Sequence, residues 1–279
     1  MKYKSYILIL VLLIISFSIS FLNPFGGNAI SDEMKIIFSF TGMMFAILSG
    51  FFIASSWDRY TKLRTLLAVE TASLENIYKF YEIGNKKAAK KVANLIDKYL
   101  IKSFEFGLHE HQEQISEEYF AIYDSLKYLK GPKATVPLTR IMNVLDNFTK
   151  ARKEIISRMK DKLGIYHWII LLLLETLLII TWIHIQFAGP IGIIIGTVLV
   201  FSLFTILMLI YDLSNLDWGI EQVNIEVYER VYDVIGLMRY YPEELLSKVS
   251  VPKKIKSYRV GILIDPITYK RKIKIIKNN

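Results

Sequence analysis

Apolar residues along the chain collect in four long blocks, Tyr6–Leu22, Ile36–Ser56, Trp168–Phe187 and Ile191–Tyr211, with strongly polar sequence between the second and third. Each block is close to the roughly 20 residues a helix needs to cross about 30 Å of hydrocarbon. Two membrane hairpins are therefore expected, separated by a polar insert. The second block does not stop at its polar boundary. From about Lys35 to Tyr81 no Pro or Gly divides its apolar first half from an amphipathic second half, in which Leu63, Leu66, Leu67, Leu74 and Tyr78 recur at helical spacing. One unbroken helix of roughly 70 Å is expected there, at 1.5 Å per residue. It would join a membrane segment rigidly to the polar insert, and Gly84-Asn85 marks its end.

The insert continues with a helix from Lys86 to about Phe106, which buries Ala89, Val92, Leu95, Ile96, Tyr99 and Leu100. A third covers about Ser116–Leu129 and stops at Gly131-Pro132, and a fourth starts near Pro137 and runs through Ile155 and Met159 toward the third span, with Gly164 as its hinge. Beyond the fourth span, Glu221 to about Arg239 is amphipathic, and Tyr258–Ile264 with Ile267–Ile276 alternates enough for a small basic hairpin around Asp265-Pro266. The fold class is all-α. Its parts are a first transmembrane hairpin over residues 1–56, a helical bundle over 57–165, a second hairpin over 166–213, an amphipathic helix over 214–250 and a basic tail over 251–279.

Composition agrees with this segregation, because 53% of residues are hydrophobic while 22% are charged. Charge also orients the spans, since Lys and Arg flanking membrane segments are retained in the cytoplasm. Lys2 and Lys4 precede the first span, and residues 58–162 hold 20 Lys or Arg against 14 Asp or Glu. The loop Asn23–Glu33 has two acids and no basic residue, and the turn Gln186–Pro190 has no charge. A multi-pass protein of the cell membrane is expected, with both termini and the insert cytoplasmic. The competing reading of the first span is a secretory signal, for which its basic start and Ser18-x-Ser20 are suited. Its apolar run continues through Phe21 and Leu22, which favours a retained anchor.

The absence of cysteine excludes disulfides, thiolate metal sites and cysteine nucleophiles. The phosphate loop, the nucleotide-binding glycine pattern, the Gly-x-Ser-x-Gly elbow and the His-Glu-x-x-His helix are all missing, so neither an enzyme nor a cofactor is expected. His109, Glu110 and His111 lack a second ligand set and read as a solvated loop rather than a metal site. Basic residues gather at Lys150, Arg152, Lys153, Arg158, Lys160 and Lys162, and nine against one acid lie beyond Val251. Anionic membrane lipid is the expected partner of such clusters, and nucleic acid has no motif behind it.

Three features of the spans bear on function. Gly42, Ala46, Gly50 and Ala54 form a small-residue stripe, which lets two membrane helices approach closely. Phe38, Phe45 and Phe52 recur every seven residues on another face, where they either pack in a core or against lipid, or close an axial pore as hydrophobic constrictions. Glu175 lies mid-span in LLLLETLLII, so its carboxyl is expected to face protein or a water-filled cavity, or else to be protonated and bond to a backbone carbonyl or to Thr41, Ser202 or Thr205 on a neighbouring span. His184, beside Trp182, reads as an interfacial anchor.

The chain resembles the bestrophin-like domain family of prokaryotic membrane proteins. The resemblance rests on Gly50-Phe51 and Trp57, on Glu70, Leu74 and Tyr78, on Tyr99 and Glu105, and on Asp212 and Gly219, over roughly residues 5–220. It departs from the usual pattern at Thr71, at Phe106 and over Leu213–Trp218. The resemblance implies a homo-oligomer, pentameric if like bestrophin channels, whose second span lines an axial pore for inorganic ions. Phe38, Phe45 and Phe52 would then form its neck, with Ser49 and Ser56 as polar lining. The alternatives are a non-conducting scaffold or sensor anchored by the hairpins, and a proton-coupled transporter or membrane enzyme using Glu175.

Overall fold

The computed structural model describes residues 2–21, 32–105, 116–129, 135–185, 189–216, 220–246, 251–252, 254–265 and 270–277. It divides into two units, one of Met1–Tyr60 with Lys162–Trp218 and one of Thr61–Asp161 with Gly219–Asn279. Helix α2, Asp32–Gly84, is continuous over 53 residues and contributes to both.

The first unit holds α1 (Lys2–Phe21), the N-terminal part of α2, α6 (Ile165–Ile185) and α7 (Pro190–Asn215). Among the described residues α2, α6 and α7 are long and apolar enough to span a bilayer, and α1 carries a shorter apolar stretch, Val11–Phe21. The core between α2, α6 and α7 is Phe45, Phe52, Leu171, Leu178, Leu203, Leu207 and Ile210. Helix α1 lies along α7, and each brings a pair of small buried residues four apart, Ser16 with Ser20 and Gly192 with Gly196. Small side chains let helix backbones approach closely where lipid offers no hydrophobic drive.

Pro190 at the first turn starts α7, and Leu216 in the left-handed conformation (φ 62°) ends it, its N–H returning to the carbonyls of Asp212 and Leu213. The buried Arg59 of α2 donates to the Ser214 carbonyl at 2.8 Å, placing a cation where the α7 dipole is negative. Ser214 Oγ accepts the Leu163 N–H at 3.2 Å. Both bonds occupy polar groups that α7 would otherwise leave orphaned at its last turn.

The second unit is built on α2 beyond Thr61, α3 (Lys86–Glu105), α4 (Ser116–Asp124) with a following 3₁₀ turn (Ser125–Tyr128), α5 (Thr135–Lys160) and α8 (Ile220–Ile235). Its core includes Leu74, Ile77, Tyr81, Val92, Ile96, Tyr99, Leu145, Phe148, Tyr228 and Tyr232. Asn85 separates α2 from α3, and its Oδ1 accepts the N–H groups of Lys87 (3.0 Å) and Ala88 (3.2 Å), an N-cap. The fourth insert helix runs through Ile155 and Met159 to Lys160, and Asp161–Gly164, which includes the expected hinge at Gly164, is non-helical before α6.

The C-terminal hairpin is present as β2 (Ser257–Asp265) antiparallel to β3 (Lys270–Lys277). The all-α expectation fails here, and a further strand, β1 (Tyr240–Pro242), pairs parallel to β2, with a single helical turn, α9 (Glu243–Leu246), after it. Gly261 is required at this junction, because a Cβ there would fall 1.9 Å from Tyr240 Oη and 2.7 Å from its ring. Arg259 holds the hairpin to α3 through a bidentate pair with Asp97 (2.8 and 2.5 Å) while its guanidinium lies 5.5 Å from the Tyr232 ring. Arg239 likewise joins Glu229 and Asp233 of α8.

Candidate functional site

The two faces of α2 have different surroundings. Phe45 and Phe52 are 3% and 5% exposed and fill the core against α6 and α7. Phe38 sits beside Trp182 (5.9 Å between rings), and Phe52 meets His167 edge-on at 5.1 Å. Ser49 and Ser56 are buried on the same side, and Ser49 Oγ donates to the Phe45 carbonyl at 2.6 Å. Of the residues expected to line a pore, Phe45, Phe52, Ser49 and Ser56 are buried within the single chain and Phe38 is half-buried, on the face of α2 that packs against α6 and α7.

The small stripe points elsewhere. Ala46, Gly50 and Ala54 are exposed, and only Gly42 is partly covered, a Cβ there lying 3.7 Å from Leu178. The same outward side carries Met43, Ile47 and Phe51, four residues apart and 54%, 59% and 65% exposed. Ile47 lies about 200° around the helix from Phe45, on the opposite face.

Glu175 is 3% exposed on the inward side of α6, between Leu171 and Leu178, and its Oε1 has no hydrogen-bond partner among the described residues. Two of its expected partners are excluded: Ser202 donates to the Val198 carbonyl and Thr205 to the Phe201 carbonyl of their own exposed helix face. Thr41 is buried on α2. His184 bonds the Ile180 carbonyl at 2.8 Å on the surface of α6, and Trp182 is buried against Phe38. His109, Glu110 and His111 lie outside the described residues, and among those described no group of acidic or His residues is arranged to hold a metal.

In the second unit the family-type residues Glu70 and Tyr99 meet. Glu70 on α2 is fully buried, and Tyr99 on α3 donates its hydroxyl to Glu70 Oε1. Arg152 of α5, 6% exposed, donates to Tyr99 Oη at 2.8 Å, and its guanidinium lies 5.3 Å from the Tyr99 ring and 5.0 Å from that of Tyr119 on α4. A cation and a carboxyl are thus linked through one phenol (Arg152 to Tyr99 to Glu70), while Glu70 Oε2 is buried with no hydrogen-bond partner among the described residues. Burial pushes the Glu70 carboxyl above its ordinary range, against the opposing effects of the Tyr99 hydrogen bond and the Arg152 charge. Burial also raises Tyr99 and the neighbouring Tyr228 of α8 well above the usual phenol value, so Tyr99 keeps the proton it donates.

Other motif residues take lesser positions. Leu74 is core, Tyr78 Oη reaches Glu82 at 3.5 Å, and Trp57 is about half-exposed with its ring tilted against that of Tyr60 at 5.6 Å. Asp212 is in the last turn of α7, the Glu105 side chain is not described, and Gly219 lies outside the described residues. Arg152 was grouped in sequence with five other basic residues of 150–162. Its distinguishing signal is its spacing, because Ile141, Leu145, Phe148, Ile155 and Met159 form the buried face of α5 and Arg152 falls on it.

The family profile described as Bestrophin-like domain matches residues 7–216. The chain belongs to the bestrophin-like family. No curated protein matches it. Among solved structures, it resembles two variants of a bacterial bestrophin homologue from Klebsiella pneumoniae, one at a TM-score of 0.66 with 13% identity and one at 0.65 with 14%, each match covering 82% of this chain and 99% of the other. A variant of a membrane protein is similar at 0.65 and 13% identity, with the same coverage. At these identities the likeness establishes a bestrophin-like fold, mostly helical with apolar helices. Among the family-type residues of this bestrophin-like chain, Glu70 and Tyr99 are brought together, and they share Arg152.

Proposed function

We propose that this bestrophin-like protein is a subunit of an oligomeric ion channel of the cell membrane and not an enzyme. The observation that carries this reading is the outward face of α2, where Ala46, Gly50 and Ala54 adjoin Met43, Ile47 and Phe51 and all six are exposed. Small residues at that spacing suit close packing of α2 on a neighbouring copy. In a closed ring every copy presents the same face to the axis, so Met43, Ile47 and Phe51 would form stacked apolar constrictions. Such constrictions gate by dewetting. A pentamer follows if the assembly is like that of bestrophin channels, and the Lys and Arg distribution assigns the termini and the second unit to the cytoplasm.

The test is mass measurement in mild detergent followed by planar-bilayer recording of the purified oligomer. A ring-sized species that carries current is the expected result. A monomer, or an oligomer that is silent across voltages and salts, favours the non-conducting scaffold.

A further inference from the structure

We propose that a cavity at the start of α3 is a binding site for a phosphate-bearing anion. It has a volume of about 560 Å³ and is lined by Asn85, Lys87, Ala88, Lys91, Lys127 and Tyr128. That volume is within the range of small-molecule sites. Three lysines and no acidic residue line it, and none of the three has an ion pair among the described residues.

Two of these cations lie near one aromatic ring. Lys91 Nζ lies 5.0 Å and Lys127 Nζ 5.8 Å from the centroid of the Tyr128 ring. The ring attracts either ammonium, but holding both near it keeps two like charges in one neighbourhood. An anion bound near both offsets their repulsion. The first-turn amides of Lys87 and Ala88 are already bonded to Asn85 Oδ1, so recognition falls to side chains rather than to the helix terminus. Lysine binds phosphate as a point charge, and three lysines lining one cavity match a group carrying two or more negative charges. Free diphosphate and the phosphomonoester headgroup of an anionic lipid share that chemistry.

Calorimetric titration of the full-length protein in detergent with inorganic pyrophosphate at low salt tests the free source. Thermal melting in phosphatidylcholine nanodiscs with and without phosphatidic acid tests the lipid source. Saturable pyrophosphate binding that weakens roughly tenfold per lysine lost in Lys127→Gln and in Lys91→Gln/Lys127→Gln assigns the site to a free phosphate. Stabilisation by phosphatidic acid alone, lost in the same variants and kept in Lys91→Arg/Lys127→Arg, assigns it to a lipid. Absence of both responses in the wild type, or responses unchanged by Lys127→Gln, overturns the proposal.

Discussion

Replacing Arg152 by Ala is expected to destabilise the second unit by about 3–5 kcal/mol, the range for removing one partner of a buried charge pair. The loss has three parts. The Tyr99 hydroxyl loses its donor at 2.8 Å, the rings of Tyr99 and Tyr119 lose the guanidinium packed on them, and Glu70 loses the cation that offsets its desolvation. Denaturant unfolding followed by near-ultraviolet circular dichroism reports it, because several tyrosines surround the site. Glu70→Gln in the Arg152→Ala background should recover part of the loss, since the carboxyl that needed compensation is then gone. A change below about 1 kcal/mol in Arg152→Ala would place this arginine among ordinary surface cations.

Stability is also expected to fall as pH rises from about 4.5, the ordinary value of a glutamate, toward the raised value of buried Glu70. In that window the unfolded chain has released the Glu70 proton and the folded chain still holds it, so each step upward in pH favours unfolding. Above the folded value this contribution is fully lost and the curve flattens. Other carboxyls titrate over the same range, so the informative quantity is the wild-type curve minus that of Glu70→Gln, measured as midpoint against pH. The difference should decline from pH 4.5 upward. In Arg152→Ala the decline should extend to higher pH, because removing the cation leaves desolvation less opposed. A difference curve that is flat would show that Glu70 ionises as readily in the bundle as in water, and one that rises with pH that it ionises more readily there.

Local patterns were legible in this sequence to the extent that they depend on neighbours a few residues away. The continuity of α2 through Gly84 follows from unbroken helical spacing, and the Asn85 boundary from its own capping chemistry. The β2–β3 hairpin follows from alternation over a short connection. What local pattern left open depended on distant partners. The Phe38, Phe45, Phe52 repeat defines one helical face but says nothing about what lies opposite it, and α6 and α7 occupy that place. Strand β1 consists of Tyr240, Tyr241 and Pro242, too short to alternate, and forms only because β2 arrives beside it. Arg152 was hidden by its charge. Counted with its basic neighbours it belonged to the surface, while its position on the apolar face of α5 placed it beside Tyr99.

The most direct measurement of the channel reading uses the absence of native cysteine. Single-cysteine variants Ile47→Cys, Phe51→Cys and Phe45→Cys, reconstituted in planar bilayers, would each be treated with a small cationic methanethiosulfonate during recording. The outward face of α2 is expected to react, with current through Ile47→Cys and Phe51→Cys changing promptly while Phe45→Cys, sealed in the core of its own subunit, stays unchanged. Modification of Phe45→Cys with Ile47→Cys and Phe51→Cys inert would contradict the account.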